Sequence, residues 1–149
     1  TPEVVEEESN RLVLEGDYKK YLQLNAEQKI EKVLEFQELL TQQHQTESRK
    51  PSLLLEFAKL LVAAKEYKEA IASYDQALKF KPDYDSAWYN KACSYALQGN
   101  IEQAIENLEK AIHLNPDKYQ EMAKTDSDFD SLREDERFLV LIQAQQTGN

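Results

Sequence analysis

The sequence repeats itself with a period of 34 residues in its central part. When residues 51–84 are placed on residues 85–118 without a gap, seven positions are identical. The identical pairs are Ser52 and Ser86, Ala58 and Ala92, Ala70 and Ala104, Ile71 and Ile105, Ala77 and Ala111, Pro82 and Pro116, and Asp83 and Asp117. A period of this length predicts stacked units, because one short unit alone cannot bury its apolar face.

Each unit is predicted to be a pair of antiparallel helices. Apolar residues recur at intervals of three and four, the pattern of a helix that buries one face. Two such stretches are separated by Lys65 and Glu66 in the first unit, and by Gly99 and Asn100 in the second. The chain has only three glycines and four prolines, which disfavours a sheet protein rich in tight turns. The sequence therefore predicts an all-α fold, an antiparallel array of helical hairpins.

The repeated alanines predict where these helices meet. Two helices approach most closely where the side chains between them are small. Four of the alanines are expected where the two helices of one unit cross, and the other two where a unit meets the next helix. The first four are Ala58, Ala70, Ala92 and Ala104, and the other two are Ala77 and Ala111.

Proline and aspartate are expected to mark the boundaries between units. Pro82 and Pro116 would end the second helix of each unit, because proline cannot continue a helix. Asp83 and Asp117 would then serve as N-caps of the following helices. Gln120 lies three residues after Asp117, so this pair is expected to form a capping box.

The second unit resembles the tetratricopeptide repeat. The positions that carry the resemblance are Trp88, Ala92, Tyr95, Gly99, Ala104, Leu108, Ala111 and Pro116. Lys91 departs from the family pattern, which usually has an apolar residue there. Residues 51–84 resemble a second copy, with Leu54 and Lys65 in place of the family's aromatic residue and glycine. The resemblance implies a helical array, but such positions do not identify what the array binds.

The whole chain is expected to form a single helical domain, in which the flanking residues cap the two units. Residues 1–50 would be an N-terminal helical extension, with a degenerate repeat around residues 15–18. Asn25 and Gln28 predict a capping box that opens a helix of about residues 26–43. The side chains expected to pack this helix on the first unit are Ile30, Val33, Leu34, Gln37 and Leu40.

Residues 119–149 are expected to form the C-terminal capping helices. The segment before the final helix is acidic, and Ser131 with Glu134 predicts a capping box. The final helix would then span about residues 132–144.

Charge and hydropathy exclude several classes of partner. The chain has 28 acidic and 18 basic residues, a net charge of -10, and no basic patch, so neither nucleic acid nor an anionic membrane is expected to bind. The longest apolar runs have five residues, whereas a membrane-spanning helix needs about 18 or more. The single cysteine cannot form an internal disulfide, which favours a reducing compartment. We expect a soluble, cytoplasmic protein.

The sequence contains no recognisable set of catalytic or metal-binding residues. Neither histidine has an acidic or cysteine partner at ligand spacing, and Cys93 has no histidine in a recognisable motif to activate it. Residues 126–131 begin like a calcium loop, but Ser131 stands where the loop needs glycine and Arg137 where it needs glutamate. We therefore expect no enzyme activity, no metal and no cofactor.

The resemblance implies a concave groove lined by the first helix of each unit. The residues predicted to bind a partner there are Leu55, Lys59, Val62, Tyr89, Asn90, Cys93, Leu97 and Lys124. This mixture of apolar and hydrogen-bonding side chains suits a peptide or an apolar helix face of a protein partner. The predicted function is a non-catalytic scaffold or adaptor, with Tyr89 as the largest apolar anchor and a basic or neutral segment as the partner.

Two alternatives remain open at this point. The protein's own terminal helices would cover part of the groove, with residues 138–142 as the occupant. Otherwise the chain is a structural or dimerisation module of a longer protein, and a homodimer would bury the same surface.

Overall fold

A computed structural model describes residues 23–41 and 50–143. These residues form seven α-helices and one 3-10 helix, with no strand among them. The α-helices are α1 (Ala26–Thr41), α2 (Lys50–Ala63), α3 (Tyr67–Phe80), α4 (Asp85–Gln98), α5 (Ile101–Leu114), α6 (Pro116–Thr125) and α7 (Glu136–Gln143), and the 3-10 helix is Ser127–Leu132. The degenerate repeat predicted around residues 15–18 lies outside the described residues.

The helices pack mainly against their neighbours in the chain. α2 pairs with α3 and α4 with α5, and α3 joins the two pairs by packing on α4. At the ends of the array, α1 packs on α2, while α7 packs on α6 and α5. The predicted all-α array of helical hairpins is confirmed. Across the described residues, none of the helices has the length and apolarity that crossing a membrane would require.

The repeated alanines are fully buried, as predicted. Ala58 and Ala70 lie in one core cluster with Tyr74, and Ala92 and Ala104 lie in a second cluster. No side chain of the six is exposed, including Ala77 and Ala111. Small residues at these positions allow the paired helices to approach closely.

The turn inside each unit has the same backbone geometry, although only one turn contains glycine. Gly99 has a φ of +84° and Lys65 a φ of +63°. In the second unit the Asn100 N–H donates to the Tyr95 carbonyl at 2.9 Å, and in the first the Glu66 N–H donates to the Leu61 carbonyl at 2.8 Å. These bonds are typical of a helix that ends in a left-handed residue, a conformation that favours glycine.

Substitutions at Gly99 and at Lys65 should change the stability of the protein in opposite directions. Gly99→Ala is expected to lower the free energy of unfolding by about 1 kcal/mol, because the left-handed conformation strains any residue with a Cβ atom. The added methyl group would meet no atom within 4 Å, so the loss would come from the backbone. Lys65→Gly should raise stability by less than about 1 kcal/mol, because glycine also adds freedom to the unfolded chain. Urea denaturation measures the free energy of unfolding of both variants, and changes of the same sign would contradict the prediction.

The predicted boundaries between units are partly wrong. α3 and α5 end before Pro82 and Pro116, as expected, but Pro116 is also the first residue of α6. Proline fits there because its fixed φ is helical and its missing N–H has no partner in a first turn. Asp117 therefore lies inside the first turn of α6, and Asp83 precedes Tyr84, the residue at the N-cap of α4. Neither aspartate is an N-cap.

The other predicted capping boxes have mixed outcomes. At α1 the box is confirmed: the Gln28 N–H donates to Asn25 Oδ1 at 2.9 Å, and the Asn25 N–H to Gln28 Oε1 at 3.2 Å. The box at Ser131 is wrong, because this residue belongs to the 3-10 helix and α7 begins only at Glu136. Asp135 accepts the N–H of Arg137 at 2.9 Å instead.

The apolar stripe predicted on α1 is only partly used for packing. Val33 lies against the core of the first unit, and Lys29 Nζ donates to the Ala63 carbonyl at 3.4 Å. Ile30 and Leu34 do not pack there and remain 58% and 57% exposed. The side chains of Gln37 and Leu40, the other members of the predicted stripe, lie outside the described part of the structure.

Candidate functional site

The predicted groove residues lie on the first helix of each unit and on α6. α2 and α4, which carry most of them, contact each other directly. Leu55, Lys59 and Val62 are on α2, Tyr89, Asn90, Cys93 and Leu97 are on α4, and Lys124 is on α6. The fold therefore gathers the predicted residues on neighbouring helices, but their accessibility differs widely.

Tyr89, the predicted anchor, is part of the protein core. Its side chain is 2% exposed. The ring stacks on Tyr119 with centroids 4.9 Å apart and meets the edge of Phe129 at 5.6 Å. Its hydroxyl donates to Asp126 Oδ2 at 2.8 Å. The ring is therefore covered in this structure, and contact of Tyr89 with a partner stays a prediction.

The segment that covers Tyr89 consists of residues 126–132, which we call the C-terminal cover. Its Phe129 and Leu132 side chains are fully buried. Arg133 holds the segment to the end of α6, because its guanidinium donates to the carbonyls of Ala123, Lys124 and Asp126 at 3.2, 2.7 and 2.5 Å. The Ala123 and Lys124 carbonyls lie in the last turn of α6 and have no partner within the helix, so the arginine acts as a cap. The Asp126 carbonyl also accepts the Phe129 N–H at 3.1 Å.

The chain itself thus covers part of the face that was predicted to bind a partner. The segment that lies over Tyr89 is the C-terminal cover. The alternative interpretation of the sequence had predicted residues 138–142 in this position. Phe138 is fully buried, but it lies beyond Phe129, with ring centroids 5.7 Å apart. Gln120 is also buried, and its amide donates to the Leu141 carbonyl at 2.9 Å. This contact replaces the capping box predicted for Gln120.

The remaining predicted residues, apart from Leu55 and Cys93, are not buried, and they mark the accessible part of the predicted groove. Leu97 is 39% exposed, and Val62 and Asn90 are half-buried. The Asn90 amide donates to the Ser86 carbonyl at 2.8 Å. We define the open groove residues as Lys59, Val62, Asn90, Leu97 and Lys124. Leu55 and Cys93 are buried beneath this face.

The charges near the open groove are of both signs. Lys59 pairs with Glu56 at 3.4 Å, and Lys124 pairs with Glu121 at 2.9 Å. Burial, reinforced by the negative charges of Glu56 and then Asp85, raises the pKa of Tyr84 to about 12. The open groove therefore offers apolar surface with nearby donors and acceptors, which suits a peptide backbone.

Tertiary structure also brings together a thiol and two carboxylates that sequence reasoning missed. Ligand atoms of Cys93, Asp126 and Asp128 all lie within 4.8 Å of one another. Asp126 Oδ2 accepts the Tyr89 hydroxyl and the Cys93 thiol, the latter at 3.8 Å, while Oδ1 accepts the Asp128 N–H at 3.0 Å. Because the donors and acceptors already satisfy one another, we assign no metal to this cluster.

The cluster suppresses the reactivity of its thiol. Burial, together with the negative charges of Asp126 and Asp128, raises the pKa of Cys93 well above its usual value. Since the thiolate is the nucleophilic form of cysteine, the protonated Cys93 is a poor nucleophile. Cys93 and Asp126 are 33 positions apart in the sequence, which explains why no local motif indicated this contact.

The surroundings of the Asp128 carboxyl predict how the stability of the protein depends on pH. Burial, and then repulsion by Asp126, raises the pKa of the Asp128 carboxyl. The folded state therefore binds this proton more tightly than the unfolded state, and stability falls as pH rises through the raised pKa. Asp128→Asn should raise the melting temperature at pH 7, with the gain disappearing below the ordinary carboxyl pKa of 3.8. Thermal scans at these two pH conditions measure the melting temperatures, and Asp83→Asn, a substitution on the surface, is the control in both. A loss of stability by Asp128→Asn at pH 7 would contradict the prediction.

A depression of about 660 Å³ lies between the end of the first unit and α5. Trp88 forms one wall, and its indole N–H donates to the Pro82 carbonyl at 2.9 Å. Lys91 and Lys110 place their ammonium groups 5.3 and 4.4 Å from the Trp88 ring centroid. Lys91, which departs from the repeat pattern, also pairs with Asp75 of the first unit at 2.6 Å. The ion pair between Lys91 and Asp75 thus links the two units.

Comparisons with known proteins agree with the repeat architecture. Residues 86–118 match the family described as tetratricopeptide repeat, and residues 58–99 match a family described as TPR repeat. A TPR repeat-containing protein of Rhizobium etli is 24% identical to this chain over 104 residues. The aligned region covers 65% of this chain and 51% of the relative, so the chain spans about half the length of the curated relative it matches.

Proposed function

Because this chain belongs to the tetratricopeptide repeat family, we propose that it is a non-catalytic scaffold or adaptor whose groove binds a segment of a protein partner. Repeats of this family generally mediate protein–protein interactions and are typically non-catalytic. In this proposal the units of residues 51–84 and 85–118 provide the binding surface, and the flanking helices cap them. The proposed partner segment is an extended peptide or one face of a helix.

The observation that supports this proposal is the accessible apolar surface at the end of α4. Leu97 is a large apolar residue that stays exposed on α4, whereas the predicted contacts Tyr89 and Cys93 on the same helix are buried. Asn90 lies two turns earlier on the same helix, and Lys59 is on the neighbouring α2. An apolar anchor with hydrogen-bonding groups beside it is a common way to hold a peptide.

The proposal assigns a shorter site than the sequence predicted. Leu97 replaces Tyr89 as the apolar anchor, and Tyr89, Cys93 and Leu55 form the buried floor. A Tyr89→Ala variant would therefore report mainly on folding, because the ring is in the core. The test must use exposed residues.

The test compares capture of partners by two variants. In a pull-down from native lysate, Asn90→Ala combined with Leu97→Ser is expected to lose the partner that the parent protein captures. The control variant combines Gln103→Ala with His113→Ala, two exposed positions on α5, and should retain it. Affinity for a peptide from the captured partner should fall about tenfold in the groove variant, an effect typical of losing one important contact. Equal binding by the two variants would contradict the proposal.

The alternative role as a dimerisation module has a separate readout. Light scattering of the parent protein should give the mass of one chain. A homodimer that dissociates in the groove variant would show that the groove binds a second copy.

A further inference from the structure

The outer face of α1 carries two adjacent rows of exposed side chains. Ile30 and Leu34 form an apolar row, one helical turn apart, and are 58% and 57% exposed. Glu27 and Glu31 form an acidic row and are also exposed. Each glutamate precedes its apolar neighbour by three residues, so the two rows lie side by side on the helix surface.

The basic residues of α1 are engaged away from these rows. Lys29 donates to the Ala63 carbonyl at 3.4 Å, on the side of α1 that packs on α2. Lys32 pairs with Glu35 at 3.1 Å. By helical periodicity both lysines lie on the opposite side of α1 from Glu27 and Glu31. The outer face therefore combines apolar surface with negative charge.

We propose that this outer face of α1 binds a basic amphipathic helix of a partner protein. Apolar residues of that helix would cover Ile30 and Leu34, in the manner of a helix that lays its apolar face on a hydrophobic surface. Lysine or arginine side chains flanking its apolar stripe would lie next to Glu27 and Glu31. This surface is separate from the open groove, so the inference goes beyond the proposed function.

Charge argues against the two other candidate occupants. A second copy of the chain that used the same face would bring its acidic row close to that of the first copy, and like charges across an interface are unfavourable. Residues 1–22 of the same chain contain six acidic and three basic residues. That segment has the same sign of charge as the acidic row, so a basic partner fits the surface better.

The test uses the full 149-residue chain and a defined probe. The probe is a fluorescent peptide of about 18 residues, or five helical turns, in which leucine forms an apolar stripe and lysine the rest. A second peptide has glutamate in place of every lysine. Fluorescence anisotropy at physiological salt measures the affinity of each peptide.

Two variants change the proposed surface, each with a matched control. Glu27→Gln with Glu31→Gln removes the acidic row, and its control is Glu106→Gln with Glu109→Gln on α5. Ile30→Ser with Leu34→Ser removes the apolar row, and its control is Leu139→Ser with Val140→Ser on α7. The substituted residues are all exposed, so thermal scans should show that every variant remains folded.

The expected result is that the lysine peptide binds the parent protein and the glutamate peptide does not. Each α1 variant should weaken binding about tenfold, and each control less than about twofold, since only the former remove contacts of the site. Equal losses in variants and controls, or no binding of the lysine peptide, would overturn the proposal. So would light scattering that shows a dimer lost when Ile30 and Leu34 are replaced, because the occupant would then be a second copy.

Discussion

Replacing Phe129 with alanine is expected to lower the free energy of unfolding by about 3–5 kcal/mol, the range for a fully buried phenylalanine. Phe129 is 0% exposed, and its ring lies between those of Tyr89 and Phe138, with centroids 5.6 and 5.7 Å away. Alanine would leave a cavity that neither neighbour can fill completely. Urea denaturation followed by circular dichroism gives the free energy of each variant.

The control for this prediction is Phe80→Ala. Phe80 is at the end of α3 and is 47% exposed, so its removal should cost less than about 1 kcal/mol. Similar losses for the two variants would show that residues 126–132 do not pack on α4 as described. In that case Tyr89 would again become a candidate for partner binding.

Replacing Arg133 with methionine is expected to lower the free energy of unfolding by about 2–3 kcal/mol. The guanidinium group donates to three backbone carbonyls at the junction between α6 and the C-terminal cover. A partly buried carbonyl that loses a charged donor is left without a hydrogen bond, and this costs free energy of folding. Methionine preserves much of the side-chain volume. Arg133 also pairs with Asp130 at 3.1 Å, but the Asp130 side chain is exposed, and such pairs contribute little, so the loss would report mainly on the hydrogen bonds to the carbonyls.

Two further variants make the Arg133 prediction specific. Arg137 also contacts acidic side chains, Asp135 and Glu102, but it lies on the exposed surface. Arg137→Met should therefore have a much smaller effect, because exposed ion pairs contribute little to stability. Arg133→Lys should lie between the parent and Arg133→Met, since one ammonium cannot span all three carbonyls. Equal losses for Arg133→Met and Arg137→Met would contradict the proposed capping role.

The helices of the two units could be predicted from local patterns. Gly99 and Lys65 lie between two stretches with helical periodicity, and the structure places the turns there. The alanines were predicted to be buried because their recurrence at the same place in two units has a simple packing explanation. These features depend on short-range geometry, which a sequence encodes directly.

The boundaries next to Pro116 show the limit of such local rules. A proline can follow one helix or begin the next, and here it does both because α5 and α6 are separated by Asn115 alone. The sequence rule for aspartate N-caps then placed the cap two residues too late. A second rule, that proline is favoured in the first turn of a helix, would have given the observed start.

The candidate site could be predicted only in part. The resemblance to the repeat family placed Tyr89 and Asn90 on the groove-lining helix of the second unit, and both residues are on α4. Whether Tyr89 is accessible depends on the path of residues 126–132, which return to α4 from more than 30 residues away. One signal was present in the sequence: Phe129 is a large apolar residue between aspartates, and such a residue tends to be buried.

The sequence by itself determined the helices, their pairing and the small side chains at their crossings, because periodicity and residue size act over one or two helical turns. Only the tertiary structure decided which part of the predicted groove stays open. That outcome depends on contacts between Tyr89, Asp126, Phe129 and Arg133, whose energies arise only after the chain has brought distant segments together. The same is true of α1, where packing through Val33 leaves Ile30 and Leu34 exposed.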